Sequence, residues 1–369
     1  MKIDDRILKS EEQVILKLRD IYQKHGYFCF KMGKFEEYDL YGQNKDFLVS
    51  DRVITFTDTD GKLMALKPDV TLSIVKNHKN EKNGVQRVYY NENVYRVSEK
   101  THCYKEIMQT GLECLGEVTE YNLFEVVALA AYSLTNISSA YVLNISHLGV
   151  LSVLLSQIEN EEMKAELLAC ISEKNAHGIR EIGTHSSLKS EIIEMLVFLT
   201  EAYGEPEMVF EKFRKKTQNK ELLAALSQLE YVTRQVKNVT EACIRVDLSL
   251  VSDMNYYNGL VFQGFVKGIP TRVLSGGQYD KLMAKMGKNG GAIGFAVYLD
   301  LLERMKTIPP YDVDVLLLYH SEDDMQAIHN RVSELIKEGK SVSVQTVIPD
   351  KLIYRELEVL EAKSGGVKK

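Results

Sequence analysis

Strand-like segments rich in tyrosine and valine fill residues 53–115, give way to a helical stretch over about 150–240, and resume over 243–274. That interruption constrains the fold more than any other feature. Strands so far apart in the chain satisfy their backbone hydrogen bonds by sharing a sheet, so functional groups must converge from both halves. The local signals agree with an α+β reading, an antiparallel sheet flanked by helices. Ser10-Glu11-Glu12-Gln13 has the form of a capping box ahead of Val14, Leu18, Ile21 and Tyr22 at helical spacing, and Gly26 ends that helix. Asp58-Thr59-Asp60-Gly61 between Val53–Thr57 and Lys62–Leu66 predicts a hairpin. Further strands are expected at Gln86–Asn91, Asn93–Val97, Lys105–Leu115, Tyr141–Ser146, Cys243–Leu248, Leu260–Val266 and Thr271–Leu274, with helices at Leu72–Asn77, Leu123–Thr135 and Ala292–Met305.

Lys306-Thr307-Ile308-Pro309-Pro310 cannot continue a helix and predicts a boundary. It divides a larger domain, 1–306, from a small α/β lobe, 311–369, read as strand (Asp312–Tyr319), helix (Asp323–Lys337), strand (Ser341–Val347) and a last helix at about 350–362. The charge balance excludes some partners. Forty-six basic against 52 acidic residues leave a net charge of −6, so no general positive field draws the chain to nucleic acid or anionic lipid. The five cysteines, at 29, 103, 114, 170 and 243, contain no CxxC pair, which argues against a zinc site or a disulfide framework. With no signal-like or membrane-spanning apolar run, a cytoplasmic location is expected.

Phosphate-binding GxxxxGK, GxGxxG after a strand, HExxH and GxSxG are all missing, so the chemistry must lie in polar residues within otherwise apolar segments. Strand periodicity puts Gln109, Gly111 and Glu113 on one face of 107–115, the polar pair roughly 13 Å apart with a glycine gap between them. That face either holds a small polar ligand or meets solvent. Asp69 and Thr71 precede a short helix and either cap it or serve a ligand. Asn255-Tyr256-Tyr257-Asn258-Gly259 and Gly276-Gly277-Gln278-Tyr279-Asp280 set tyrosines beside glycines, as in plain turns or as in a pocket wall with polar tips.

In this order, these segments resemble the histidyl-tRNA synthetase family, a class II aminoacyl-tRNA synthetase fold, from about residue 5 to 305. Asn91-Glu92-Asn93-Val94-Tyr95-Arg96 looks like the second class II motif, and Gln109-x-Gly111-x-Glu113 like the histidine-binding strand. Leu250–Tyr257 and Gly276–Asp280 look like the histidine-specific segments, and Gly294-Phe295-Ala296 sits where the third motif's helix would begin. The resemblance implies that Asp69 and Thr71 meet the ligand's α-amino group and that Gln109 lies near its backbone end. It further implies that Glu113 and Tyr257 bond the imidazole, while Tyr256 and Tyr279 complete the pocket and Arg96 is a residual nucleotide-site cation.

The departures from the family pattern are equally informative. The histidine-activating arginine is replaced by Ser252, the acidic position of the second motif by Ser98 with Glu99 after it, a phosphate-contacting arginine by Cys103, and the third motif's arginine by Leu301. The motif I proline is replaced by Gly33. Adenylate formation relies on cations that stabilise charge on the phosphate, and each such donor is typically worth 10²- to 10³-fold in rate. Recognition without catalysis resembles the family's non-catalytic paralogue, the regulatory subunit of ATP phosphoribosyltransferase, as do Asn144–Gly149 and Glu173-Lys174-Asn175. That likeness implies L-histidine as ligand and the short-form catalytic subunit as partner. It also implies a homodimer within a hetero-oligomer, no cofactor, no metal, no membrane and no tRNA role. It implies too that 311–369 is a truncated anticodon-binding-like lobe. An active divergent synthetase and a histidine-sensing regulator of another process are the alternatives.

Overall fold

The computed structural model describes residues 10–48, 52–80, 84–98, 101–186, 188–251, 254, 256–305, 310–320, 323–360 and 367–368. Expectations resting on Glu99, Ser252, Asp253, Asn255, 306–309 and Glu322 lie outside the described residues. The chain divides into two compact units, 1–305 and 306–369.

The first unit begins with α1 (Ser10–Lys24), β1 (Phe28–Cys29), β2 (Phe35–Glu37), α2 (Tyr38–Gly42), a 3₁₀ turn (Lys45–Phe47), β3 (Thr55–Thr57), β4 (Leu63–Leu66) and α3 (Thr71–Asn77). Gly26 closes α1 at φ +79°, a conformation glycine adopts without strain. The expected hairpin forms: Gly61 has φ +81°, the Asp58 carboxylate accepts from the amides of Asp60 and Lys62, and Thr57 faces Leu63. Next come β5 (Val85–Val97) and β6 (Tyr104–Gly116), α4 (Glu120–Ile137) and β7 (Tyr141–His147). The helical stretch is α5 (Leu148–Leu155), α6 (Glu161–Ser172), α7 (Ala176–Thr184), α8 (Ser190–Glu201), α9 (Pro206–Lys216) and α10 (Lys220–Val239), with a two-residue strand, β8 (Tyr203–Gly204), between α8 and α9. The unit closes with β9 (Ile244–Asp247), β10 (Leu260–Val266), β11 (Leu274–Gln278), α11 (Asp280–Lys285), β12 (Gly291–Tyr298) and a 3₁₀ segment (Leu299–Met305).

The resumed strands join β5 and β6 in one nine-stranded sheet of order β1-β5-β6-β12-β11-β10-β7-β9-β8, while the β3/β4 hairpin pairs with β2 in a separate three-stranded sheet, β2-β4-β3. Three expectations need correction. Gln86–Asn91 and Asn93–Val97 are one unbroken strand, held by continuous pairing from Val85↔Gly116 to Val97↔Tyr104. The strand expected at Thr271–Leu274 begins only at Leu274. The helix expected from Ala292 is instead β12, which pairs with β6 on one side and β11 on the other. Its run Gly291-Ala-Ile-Gly-Phe-Ala-Val-Tyr is nearly all apolar, and periodicity alone cannot separate a central strand from a buried helix. Glycines let the neighbouring backbones and side chains crowd it, and a flanking strand on each side supplies the hydrogen bonds.

The core lies between this sheet and the helices. In α4, Val126, Leu129, Ala130 and Leu134 are fully buried, and the helix packs with α1, α10, β10 and β12. Each large aliphatic side chain so buried stabilises by roughly 1.5–3 kcal/mol. Thr119 and Asn122 form the capping box that starts α4.

The second unit is a four-stranded sheet of order β14-β13-β15-β16, built from β13 (Val313–Leu318), β14 (Val342–Gln345), β15 (Tyr354–Leu360) and β16 (Val367–Lys368), with α12 (Met325–Lys337). The helix expected at 350–362 is strand β15, in which Leu357, Val359 and their neighbours pair parallel to β13. Arg331 on α12 grips the buried Glu358 of β15 with two bonds of 3.0 Å each, which compensates a carboxylate that burial alone would disfavour.

Candidate amino-acid site

A cavity of about 360 Å³ opens in the first unit, and Asp69, Thr71, Arg96, Gln109, Glu113, Tyr256, Tyr257 and Tyr279 all line it. Its floor is the β5-β6-β12-β11 part of the sheet. Gln109 and Glu113 are 4 % and 2 % exposed, so the polar face of β6 is an interior wall and the solvent-facing alternative falls away. Glu113 lies opposite Gly294 on β12.

Glu113 is the best-held group in the cavity. The Thr71 hydroxyl donates to one carboxylate oxygen at 2.8 Å and the Tyr279 hydroxyl to the other at 2.6 Å. Both bonds favour the ionised form, yet full burial outweighs them and pushes the carboxyl up from 4.5 to about 8. Near neutrality the group is therefore close to its own titration point, and a ligand bearing a proton on nitrogen can share that proton with it.

Asp69 supports the helix start and also lines the cavity. One carboxylate oxygen accepts from the Leu72 amide at 2.8 Å and so caps α3, while the residue also faces the cavity. Burial raises its pKa, and the Leu72 amide and the Arg96 guanidinium work against that rise. Thr71 is no cap, since its hydroxyl is committed to Glu113. Arg96 donates from Nε to the Pro68 carbonyl at 2.9 Å. The side-chain amide nitrogen of Gln109 is buried with no hydrogen-bond partner. An unspent buried donor costs about 1–3 kcal/mol, which a ligand oxygen would recover.

The tyrosine loops prove to be one structure. Asn258 and Asp280 bond each other reciprocally at 3.0 and 2.8 Å, and the Asn258 amide donates to the Gln278 carbonyl at 3.0 Å. This ties the Tyr256-Tyr257 segment to the end of β11. Tyr256 then stacks edge-on against Tyr257, with ring centroids 4.7 Å apart, and leans on Tyr279 at 5.7 Å. At Gly277 a side-chain carbon would sit 2.8 Å from the Tyr257 ring, so glycine is what lets that ring approach β11 so closely.

Of the positions where the family resemblance leads one to expect arginine, Cys103 is exposed and Leu301 packs against the hydrophobic core. Neither lines the cavity. Several lining residues escaped the sequence reading: Lys45, Asp46, Phe47, Leu48, Tyr90, Ser275 and Tyr298. The first four come from a turn with no motif of its own. Ser275 and Tyr298 become visible only once β11 and β12 are placed beside β6. Among the described residues no group of histidine, cysteine or acidic side chains is arranged to hold a metal ion, and no helix is long and apolar enough to cross a membrane.

A central antiparallel sheet closed by helices, with an amino-acid-sized cavity on strands distant in sequence, defines the class II aminoacyl-tRNA synthetase fold. The histidyl-tRNA synthetase family model matches residues 3–302, and the chain belongs to that family. A relative from Clostridium kluyveri, named ATP phosphoribosyltransferase regulatory subunit, is 29% identical over 345 residues, covering 90% of this chain and 88% of its own length. Among solved structures, an ATP phosphoribosyltransferase regulatory subunit/histidyl-tRNA synthetase from Bacillus halodurans C superposes with a TM-score of 0.76 at 23% identity, covering 97% of this chain and 99% of that one. The ATP phosphoribosyl transferase (HisG:HisZ) complex from Thermotoga maritima matches with a TM-score of 0.63 at 18% identity, covering 80% of this chain and 97% of that one.

Proposed function

We propose that this chain is a non-catalytic, cytoplasmic regulatory subunit of ATP phosphoribosyltransferase that binds L-histidine in the cavity and carries its feedback signal to a short-form catalytic subunit. The observation that carries the ligand assignment is Glu113, buried and bracketed by two hydroxyl donors, with the unspent Gln109 donor on the same strand. An imidazole N–H finds an acceptor in Glu113, an ammonium finds Asp69, and a carboxylate oxygen finds the Gln109 amide. The names of the curated relatives, and the complex among the similar structures, support the partner.

Charge supports the non-catalytic reading. The family resemblance expects arginines where this chain has Cys103 and Leu301, and among the described lining residues the cations are Arg96 and Lys45. Two missing donors at 10²- to 10³-fold each take the activation step below about 10⁻⁴ of a synthetase rate. The purified chain is therefore expected to show no histidine-dependent ATP–pyrophosphate exchange, yet to co-purify with a short-form phosphoribosyltransferase subunit and raise its activity. Exchange at synthetase-like rates would instead establish the divergent enzyme. Binding of histidine without any effect on that transferase would point to another regulated process. Feedback further requires that histidine bind one assembly state more tightly than the other, since equal affinity shifts no equilibrium.

A further inference from the structure

The cavity wall carries one charge that this reading leaves unused. Among the described lining residues the charged groups are Lys45, Asp46, Asp69, Arg96 and Glu113. Asp46 is held by Lys285 at 3.1 Å. Arg96 is engaged on two sides, donating to the Pro68 carbonyl and balancing the buried Asp69. Glu113 is held by two hydroxyls and is already assigned to the imidazole. Only the ammonium of Lys45 has no partner among the described residues, although its backbone is among the better-anchored parts of the wall.

That anchoring comes from every neighbour in the turn. The Asn44 side-chain amide donates to the Leu40 carbonyl at 2.8 Å, and the amides of Phe47 and Leu48 close the 3₁₀ turn onto the carbonyls of Asn44 and Lys45 at 3.0 Å each. Phe47 is buried against Tyr256, with ring centroids 6.0 Å apart, and the Lys285 ammonium sits 5.1 Å from the Phe47 ring centre. The turn is thus fixed to both α11 and the tyrosine loop, while Lys45, exposed and lining the cavity, carries its charge on a flexible four-carbon stem.

Resting on the histidine reading, we propose that Lys45 receives the ligand's carboxylate and so distinguishes an α-amino acid from an amine or alcohol that shares its imidazole and ammonium. The zwitterion would then meet complementary charge at each end, Lys45 adding a positive charge to the neutral Gln109 donor at the carboxylate.

The test is calorimetry on the full chain with two probes, L-histidine and L-histidinol, in which a hydroxymethyl group replaces the carboxylate. Lys45→Met is expected to weaken histidine about 10-fold and to leave histidinol unchanged, and Lys45→Arg to stay within about threefold of the parent for histidine. The histidine difference should shrink in high salt, as befits a contact at the mouth. Unchanged histidine affinity in Lys45→Met, or equal losses for both probes, overturns the Lys45 assignment while leaving the histidine site standing. Failure of the unaltered chain to bind histidine overturns both.

Discussion

Glu113→Ala is expected to weaken histidine binding by about 100-fold, read by calorimetry at pH 7. The substitution removes the imidazole's acceptor and also strands the Thr71 and Tyr279 hydroxyls, which now donate to it at 2.8 and 2.6 Å. A loss of less than about threefold would sink the site assignment. The proton count makes the expectation sharper. Glu113 titrates near 8 and a free imidazole near 6.5, and the bound pair needs one proton between them. Affinity should therefore be greatest between about pH 6.5 and 8, falling below as a second proton must leave and above as the shared one is lost. In Glu113→Gln the fall above pH 8 should vanish, because no carboxylate remains to lose the proton. Stability has its own signature. The folded pKa is raised above the unfolded 4.5, so the folded state holds the proton more tightly and unliganded stability declines as pH rises from about 4.5 to 8. That decline should be reduced in Glu113→Gln, and an unaltered pH profile would show that the carboxyl is not buried as described.

How much of this was legible beforehand depended on whether the signal was local. The Asp58–Gly61 turn, the α4 apolar run and the Gln109/Gly111/Glu113 alternation each carry their reason within a few residues, and each takes its expected form. β12 and β15 do not. Their backbone bonds come from strands elsewhere in the chain, so Gly291–Tyr298 and Tyr354–Leu360 resembled helices until β6, β11 and β13 lay beside them. The same division runs through the cavity. Residues with a motif around them converge on it, whereas Lys45 and Phe47 stand in a turn without one, and Ser275 and Tyr298 depend on strand order. Family likeness supplied the link between the Asp69–Thr71 segment and Glu113, which no spacing rule would predict across the 42-residue separation of the Thr71–Glu113 contact.

Gly294→Ala is expected to abolish measurable histidine binding although Gly294 offers a ligand no functional group. β12 pairs Gly294 with Glu113, and a methyl carbon there would lie 1.6 Å from one Glu113 carboxylate oxygen, 2.4 Å from its carboxyl carbon and 2.6 Å from the Leu112 carbonyl oxygen. No rotation of the methyl relieves this, so either Glu113 swings off Thr71 and Tyr279 or the two central strands part. Overpacking of this kind costs about 1–3 kcal/mol of stability, and the displaced carboxylate loses both of its donors. A double-substitution cycle separates the causes. In a Glu113→Ala background the closest clash is gone while the Leu112 carbonyl contact remains, so Gly294→Ala should destabilise that chain less than it destabilises the parent. Equal costs in the two backgrounds would mean that the strand backbone, and not the Glu113 side chain, is what requires glycine at this position.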